Sequence, residues 1–427
     1  MNSYKIIGKN KVNGEISISG NKNAALPLIA ASLLTDKEII LKNIPNIADV
    51  DTMLYLLQLL GSSVKRENNN TVIIKSGNRK NVLIDKKVDL IRGSILFLGP
   101  LLAFFKNIEL APPGGDIIGL RRLDTHFSGF ITMGASCEIG ENGNLKVSRD
   151  ILKASDIFLE EASVTATENI IMLASLTEGI SIIRNAACEP HIQDLCKMLN
   201  LMGCKIDGIG SNLLKIQGLK QLNGCSYTIS SDYMETGSYI GLAAATKGEL
   251  LLHNVNYQSI RVLEPGFNKL GIDLIKLGNN DLLVPTKQGR IIKKSFDLKI
   301  NKIDDAPWPG FPADLLSILT VTATQMKGTI LLHEKMFESR MYFVDWLIRM
   351  GADIILCDPH RVLINGPSNL NGAVVSSPDV RAGMALVIAS ACSEGESIIN
   401  NIYQIERGYE NLEFKLKSIG VDITKIV

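Results

Sequence analysis

The chain of 427 residues carries 45 Lys and Arg against 44 Asp and Glu, a formal net charge of +1. That length exceeds one ordinary core and predicts two domains of roughly 200 residues; so even a charge excludes the field that would hold a polyanion, so nucleic acid is not an expected partner and any anion site must be local. Seven cysteines with no CxxC pair fit neither a disulfide framework nor a structural zinc site, and no metal or cofactor is expected.

The opening stretch "MNSYKIIGKNKVNGEISISG" has no apolar core behind its basic residues, so it is not read as a signal peptide and a reducing cytoplasm is the expected setting. Six units of one pattern then follow along the chain. In the first, "SGNKNAAL" enters a helix, "EIILKN" is a strand, and a second helix ends in "LLGSSV". The second unit repeats this as "LIRGSI", "NIELAP" and "TMGASCEI", and the third as "ASVTATEN", "GISIIRN" and "LMGCKI". Units four to six read "YMETGSY", "GELLLHN", "KLGIDL"; "GFPADLL", "GTILLHE", "RMGADI"; and "PDVRAGM", "GESIINN", "SIGVDI". The glycines Gly61, Gly134, Gly203, Gly271, Gly351 and Gly420 stand 73, 69, 68, 80 and 69 residues apart. Each unit is therefore strand, loop, helix, strand, loop, helix, glycine, strand. Glycine after the second helix suits a left-handed C-cap and calls for no chemistry.

Within the second unit, Gly93 to Phe105 is the longest apolar run, flanked by Arg92 and Lys106 and interrupted by Pro100. It is too short for the ~20 residues of a membrane span and predicts a buried helix. Beyond it, "PPGGDIIGLRRLDTHF" (Pro112 to Phe127) puts glycines, arginines and aspartates on one loop, of the kind that closes over active sites.

The six loops entering the first helices all carry polar or charged residues. Ordinary capping accounts for any one of them. Taken together, with Lys22, Arg92 and Arg381 among them, they favour an anionic ligand at helix N-termini, where unbonded N–H groups and the macrodipole attract negative charge.

At "SGNKNAALPLIAASLL", "GGDIIGLRRLDTH", "GFPADL" and "IERGYENLEFKL" the chain resembles the UDP-N-acetylglucosamine enolpyruvyl transferases, over essentially its whole length and with the motifs in order. The resemblance implies an α/β (α+β) fold, a two-domain inside-out α/β barrel of six βαβαββ-like units, three per domain, with the active site in the cleft between domains. Residues 22–229 would form the domain carrying Asp116, and 1–21 with 230–427 the domain carrying Asp314 and Arg407, with hinge crossings near 21 and 230. The implied reaction moves the enolpyruvyl group of phosphoenolpyruvate onto the 3-hydroxyl of UDP-N-acetylglucosamine and releases phosphate. These two small molecules are the expected partners, without membrane insertion.

Phosphoenolpyruvate bears a phosphate and a carboxylate, which suits lysine and forked arginine side chains. The family's motifs assign Lys22, Arg121 and Arg407 to it, with Arg340 and Arg381 in the same cluster. Addition across the enol needs an acid near the methylene carbon and a base near the hydroxyl. By resemblance Asp314 is the base, and Asp116 stands where many members keep a cysteine and would be the proton donor. A carboxylate opens an epoxide poorly, so resistance to fosfomycin, which alkylates that cysteine, is expected. Family matching gives the nucleotide sugar Asn23, Arg92, Arg121, Arg122, Leu123, Asp124, Thr125, Ser163, Val164, Thr165 and Met336. Glu189 is a candidate for closing the site, and His126 is its only candidate histidine. Three positions depart from the usual pattern: Glu161 where many members are basic, Tyr233 for arginine, and Ala313 for threonine. The alternatives are a paralogue with another acceptor, including shikimate 3-phosphate, and a nucleotide-sugar sensor without catalysis.

Overall fold

The computed structural model of the chain describes residues 2–115, 122–294 and 300–426. These form two compact units, one from the residues up to Ser19 and from Ser231 onward, the other from Gly20 to Ser230. Each has its own hydrophobic core.

Six four-stranded sheets repeat one arrangement. In each, the landmark strand lies second, parallel to an edge strand on one side and antiparallel to a partner on the other. Gly179–Arg184, for example, runs parallel to Asp156–Phe158 and antiparallel to Leu213–Gly218, which pairs in turn with Lys205–Asp207. The last edge strand always follows one of the six glycines. Those glycines have φ of 97, 97, 103, 75, 102 and 89°, the left-handed conformation expected at a helix C-cap.

The strands near the N-terminus are shared out among the last units. Ser3–Ile7 lies between Glu396–Asn400 and Asp422–Ile426, and Asn13–Ser17 runs parallel to Glu249–His253. Cys225–Thr228 runs parallel to Ile39–Lys42 and completes the first sheet.

In the unit that includes the C-terminal half, the helices Tyr233–Ala245, Leu316–Ala323 and Val380–Cys392 pack on one another. They are buried around almost their whole circumference, which suits central helices with sheets outside them. Gly241 permits the approach: a Cβ there would stand 2.5 Å from Ile318 Cγ2 and 2.8 Å from Thr322 Oγ1. In the other unit Lys22–Ala31 and Val164–Ser175 both pack on the Arg92–Phe97 turn.

Gly93 to Phe105 is not one buried helix. Arg92–Phe97 is 3-10 and Leu98–Phe104 is α. Restarting there puts Pro100 in the first turn, where its missing N–H costs no helical bond. The end of the run is not sealed either, since Phe104 is 40% exposed with the Arg79 guanidinium 4.1 Å from its ring centre. Among the described residues no helix is long and apolar enough to cross a membrane.

Candidate active site

In the Gly20–Ser230 unit, Lys22 opens the helix Lys22–Ala31, and Asn21 caps it by accepting the N–H groups of Asn23 (2.9 Å) and Ala24 (3.3 Å). Lys22 Nζ lies 2.6 Å from Asp49 Oδ2, both side chains nearly buried. A buried pair of this kind fixes the lysine's position. Asp49 was not singled out in the sequence, where it reads as an ordinary first-turn acid of Ala48–Leu59.

Arg92 Nη2 donates to the Arg122 carbonyl at 3.4 Å. Arg122 Nε donates to Asp124 Oδ2 at 2.7 Å, an exposed pair of small energetic weight. Leu123 and Thr125 flank the start of Asp124–Thr132, Thr125 buried and Leu123 half-buried. Ser163 Oγ caps Val164–Ser175 by accepting from Ala166 N at 3.5 Å.

Thr165 reaches His126, which does not act as an open site neighbour. Gly99 N donates to Asn169 Oδ1 at 2.8 Å, so the Asn169 amide N–H groups point to Ile95 O (3.1 Å) and His126 Nδ1 (3.1 Å). Nδ1 is then the acceptor and Nε2 carries the proton given to Thr165 Oγ1 at 3.0 Å. Burial, reinforced by the charge of Arg92, pushes the ring down to about 3, so a neutral His126 ties its own helix to Val164–Ser175, whose Asn169 reaches on to Ile95 and Gly99. Glu189 is the N-cap residue of Pro190–Leu201. Burial, and secondly Glu189, raises the carboxyl of fully buried Glu168 well above its usual range.

The other unit carries Asp314 in the turn Ala313–Leu315. Arg340 Nη2 lies 2.9 Å from its Oδ1 and Arg381 Nε 3.4 Å from its Oδ2. The arginine side chains are 4 and 5% exposed and that of Asp314 30%, so the carboxylate is the open member of the trio. Burial works against the charge on Arg340, but neighbouring carboxylates, Asp314 first and then Asp379, help to outweigh it and raise its pKa. For Arg381 burial is likewise offset, by Tyr409, Asp314 and Asp232. Arg407 is buried and held from within its own segment, Nη1 donating to Gln404 Oε1 at 2.8 Å. Met336 is 40% exposed. Asp116 and Arg121 lie outside the described residues.

Tyr409, two residues beyond Arg407, also escaped the sequence reading. The Arg381 guanidinium carbon sits 5.3 Å from its ring centre. Its hydroxyl is 2.7 Å from Ser238 Oγ, which donates to Met234 O at 2.8 Å, so the phenol gives its proton to the serine. Tyr409→Phe is expected to lower unfolding free energy by about 1 kcal/mol, read by urea denaturation; an unchanged midpoint would mean the hydroxyl bears no load.

Of the unusual positions, Tyr233 is buried edge-on to Trp308, centroids 5.6 Å apart. Ala313 is buried at the start of the Asp314 turn, and Glu161 is exposed, its carbonyl accepting Ser163 N at 2.7 Å. Tyr233 is thus explained by packing.

The chain matches the family of EPSP synthase (3-phosphoshikimate 1-carboxyvinyltransferase) over residues 6–416. It is 56% identical to the UDP-N-acetylglucosamine 1-carboxyvinyltransferase of Treponema denticola over 99% of both chains. To that of Borreliella burgdorferi it is 53% identical, over 100% of this chain and 99% of the other. Among solved structures it is similar to the enolpyruvyl transferase NikO from Streptomyces tendae, with TM-score 0.87 and 17% identity over 99% of this chain and 98% of that one. It is also similar to EPSP synthase from Acinetobacter baumannii, with TM-score 0.76 and 17% identity over 100% of each chain.

Proposed function

The chain belongs to the UDP-N-acetylglucosamine 1-carboxyvinyltransferases within the EPSP synthase family, and from that premise we propose that it transfers enolpyruvyl from phosphoenolpyruvate to the 3-hydroxyl of UDP-N-acetylglucosamine, releasing phosphate, in the first committed step toward peptidoglycan. The observation that carries this reading on the chain's own residues is Asp314, a part-exposed carboxylate gripped by two buried arginines.

That grip suits a base that must be switched on. While Arg340 and Arg381 neutralise it, Asp314 is a poor proton acceptor. Phosphoenolpyruvate competes for the same guanidinium groups, and as they turn to its anionic groups the carboxylate is released to take the hydroxyl proton. The sugar oxygen then bonds to the central carbon of the enol while a proton is delivered to the methylene carbon. Loss of phosphate, with removal of a proton from the new methyl group, restores the double bond. We assign the donor to Asp116, in the place where many relatives carry cysteine; a carboxylic acid serves if desolvation or a neighbouring anion raises its pKa.

Lys22, Arg121 and Arg407 complete the set of cations for phosphoenolpyruvate. Asn23, Arg92, Arg122, Leu123, Asp124, Thr125 and Met336 are assigned to the nucleotide sugar, with its diphosphate at the N-terminus of Val164–Ser175 near Ser163, Val164 and Thr165. Residues 22–229 and the remainder would close on the substrates about crossings near 21 and 230.

Phosphate release from phosphoenolpyruvate tests the reading. It is expected with UDP-N-acetylglucosamine and not with shikimate 3-phosphate. Release with the shikimate alone would reassign the acceptor, and binding of the nucleotide sugar without release would make the protein a sensor.

A further inference from the structure

We propose that Glu334 is a positioning residue for this reaction: converging with Asp305 on the Met336 N–H, it leaves Arg340 to Asp314. The proposal rests on the transferase reading above. Neither Glu334 nor Asp305 stood out in the sequence.

Glu334 directly follows the strand Gly328–His333, and both it and Asp305 are 0% exposed. Glu334 Oε1 accepts the backbone N–H groups of Met336 and Phe337, each at 3.1 Å. Asp305 accepts Lys335 N at 2.5 Å and the same Met336 N–H at 3.3 Å. Two buried carboxyl groups thus converge on one N–H, where two negative charges side by side repel and a proton on one of them relieves the repulsion. Burial first, and then Asp305 beside it, raises Glu334 to about 9.

The other oxygen of Glu334 faces the site. Oε2 is 3.8 Å from Arg340 Nε, and neither atom has a hydrogen-bond partner among the described residues. Arg340 therefore stands between a sealed carboxyl and the open one of Asp314. With Glu334 in its acid form, the guanidinium is directed to Asp314 and to any arriving anion. Ionised Glu334 would shorten the gap toward the ~2.8 Å of a charge-assisted bond, drawing Arg340 inward. A shift of about 1 Å in a reacting site can cost on the order of a hundredfold in rate.

The other charged neighbours are engaged elsewhere. His360 Nδ1 lies 2.9 Å from the backbone carbonyl of Glu334. Lys302, Lys335 and His333 gather on Asp304 at 2.8, 3.0 and 3.4 Å. Arg340 also feels Asp379, which supports its charge, and Arg381, which opposes it.

The test is the pH profile of kcat/KM for phosphoenolpyruvate. Wild type should lose activity as pH rises through about 9. Glu334→Gln keeps the neutral shape and an oxygen for the Met336 and Phe337 N–H groups, so it should match wild type within about threefold at neutral pH and lose the alkaline limb. Asp305→Asn removes the negative charge that holds the proton on Glu334, so its limb should move down by about one pH unit or more. A wild-type limb retained in Glu334→Gln, or an unmoved one in Asp305→Asn, overturns the proposal. Carboxyl 13C NMR separates this from the functional reading, the Glu334 signal being identified by its loss in Glu334→Gln. That signal should titrate well above the ordinary glutamate range and fall in Asp305→Asn, and ordinary titration in the wild type overturns the proposal. Absent turnover in the wild type counts against the transferase reading alone.

Discussion

Asp314→Asn is expected to lower kcat by about 10²- to 10⁴-fold, the range for removing a positioned general base, or about 3 to 5 kcal/mol of barrier. The amide keeps an acceptor for Arg340, whose Nη2 lies 2.9 Å from Oδ1 in the native protein, so the trio should keep its shape. On the proposed mechanism, what the variant loses is the charge that would compete with phosphoenolpyruvate for Arg340 and Arg381. Affinity for phosphoenolpyruvate should therefore stay the same or tighten while turnover falls, a split that loss of folding would not produce. Steady-state kinetics with a binding titration read both quantities. Weakened phosphoenolpyruvate binding with near-native kcat would make Asp314 a binding group, and the base would have to be sought elsewhere.

Fosfomycin should leave the wild-type protein unmodified, and Asp116→Cys should become sensitive to time-dependent inactivation with a mass increase of one adduct. The difference lies in the nucleophile: a thiolate opens an epoxide readily, whereas a carboxylate is a weak nucleophile toward it. Asp116→Cys should also retain turnover, because a thiol can deliver the same proton, while Asp116→Asn, with no acidic proton to give, should not. Label on Asp116 of the wild type, or an active cysteine variant that fosfomycin leaves untouched, would show that Asp116 does not occupy the cysteine's place.

The parts of the fold legible in the sequence are those governed by local rules. Six glycines announced six helix ends because a left-handed residue is a local steric demand, and all six adopt φ between 75 and 103°. The landmark strands were equally readable, because each combines a β-prone run with a turn before it. The split of Arg92–Phe104 into 3-10 and α segments was missed because periodicity does not distinguish i+3 from i+4 bonding over so short a run. Candidate cations were found by type and by resemblance, but their partners were not. Asp49, Asp305, Glu334 and Tyr409 are ordinary residues in their local stretches.

The sequence by itself determined the sixfold repeat, the balanced charge, the family to which the motifs belong and the residue types that could serve the chemistry. Only the tertiary structure decided which of them are in contact. Asp314, Arg340 and Arg381 come from three segments, the outer two 67 residues apart, and meet because the helices carrying or following them pack together. The same packing seals Glu334 against Asp305 and makes His126 a neutral tie. Secondary structure follows from torsions and periodicity within a few residues. The state of a buried ionisable group follows from its distance to other charges and from exclusion of water, and both are set by segments remote in the chain.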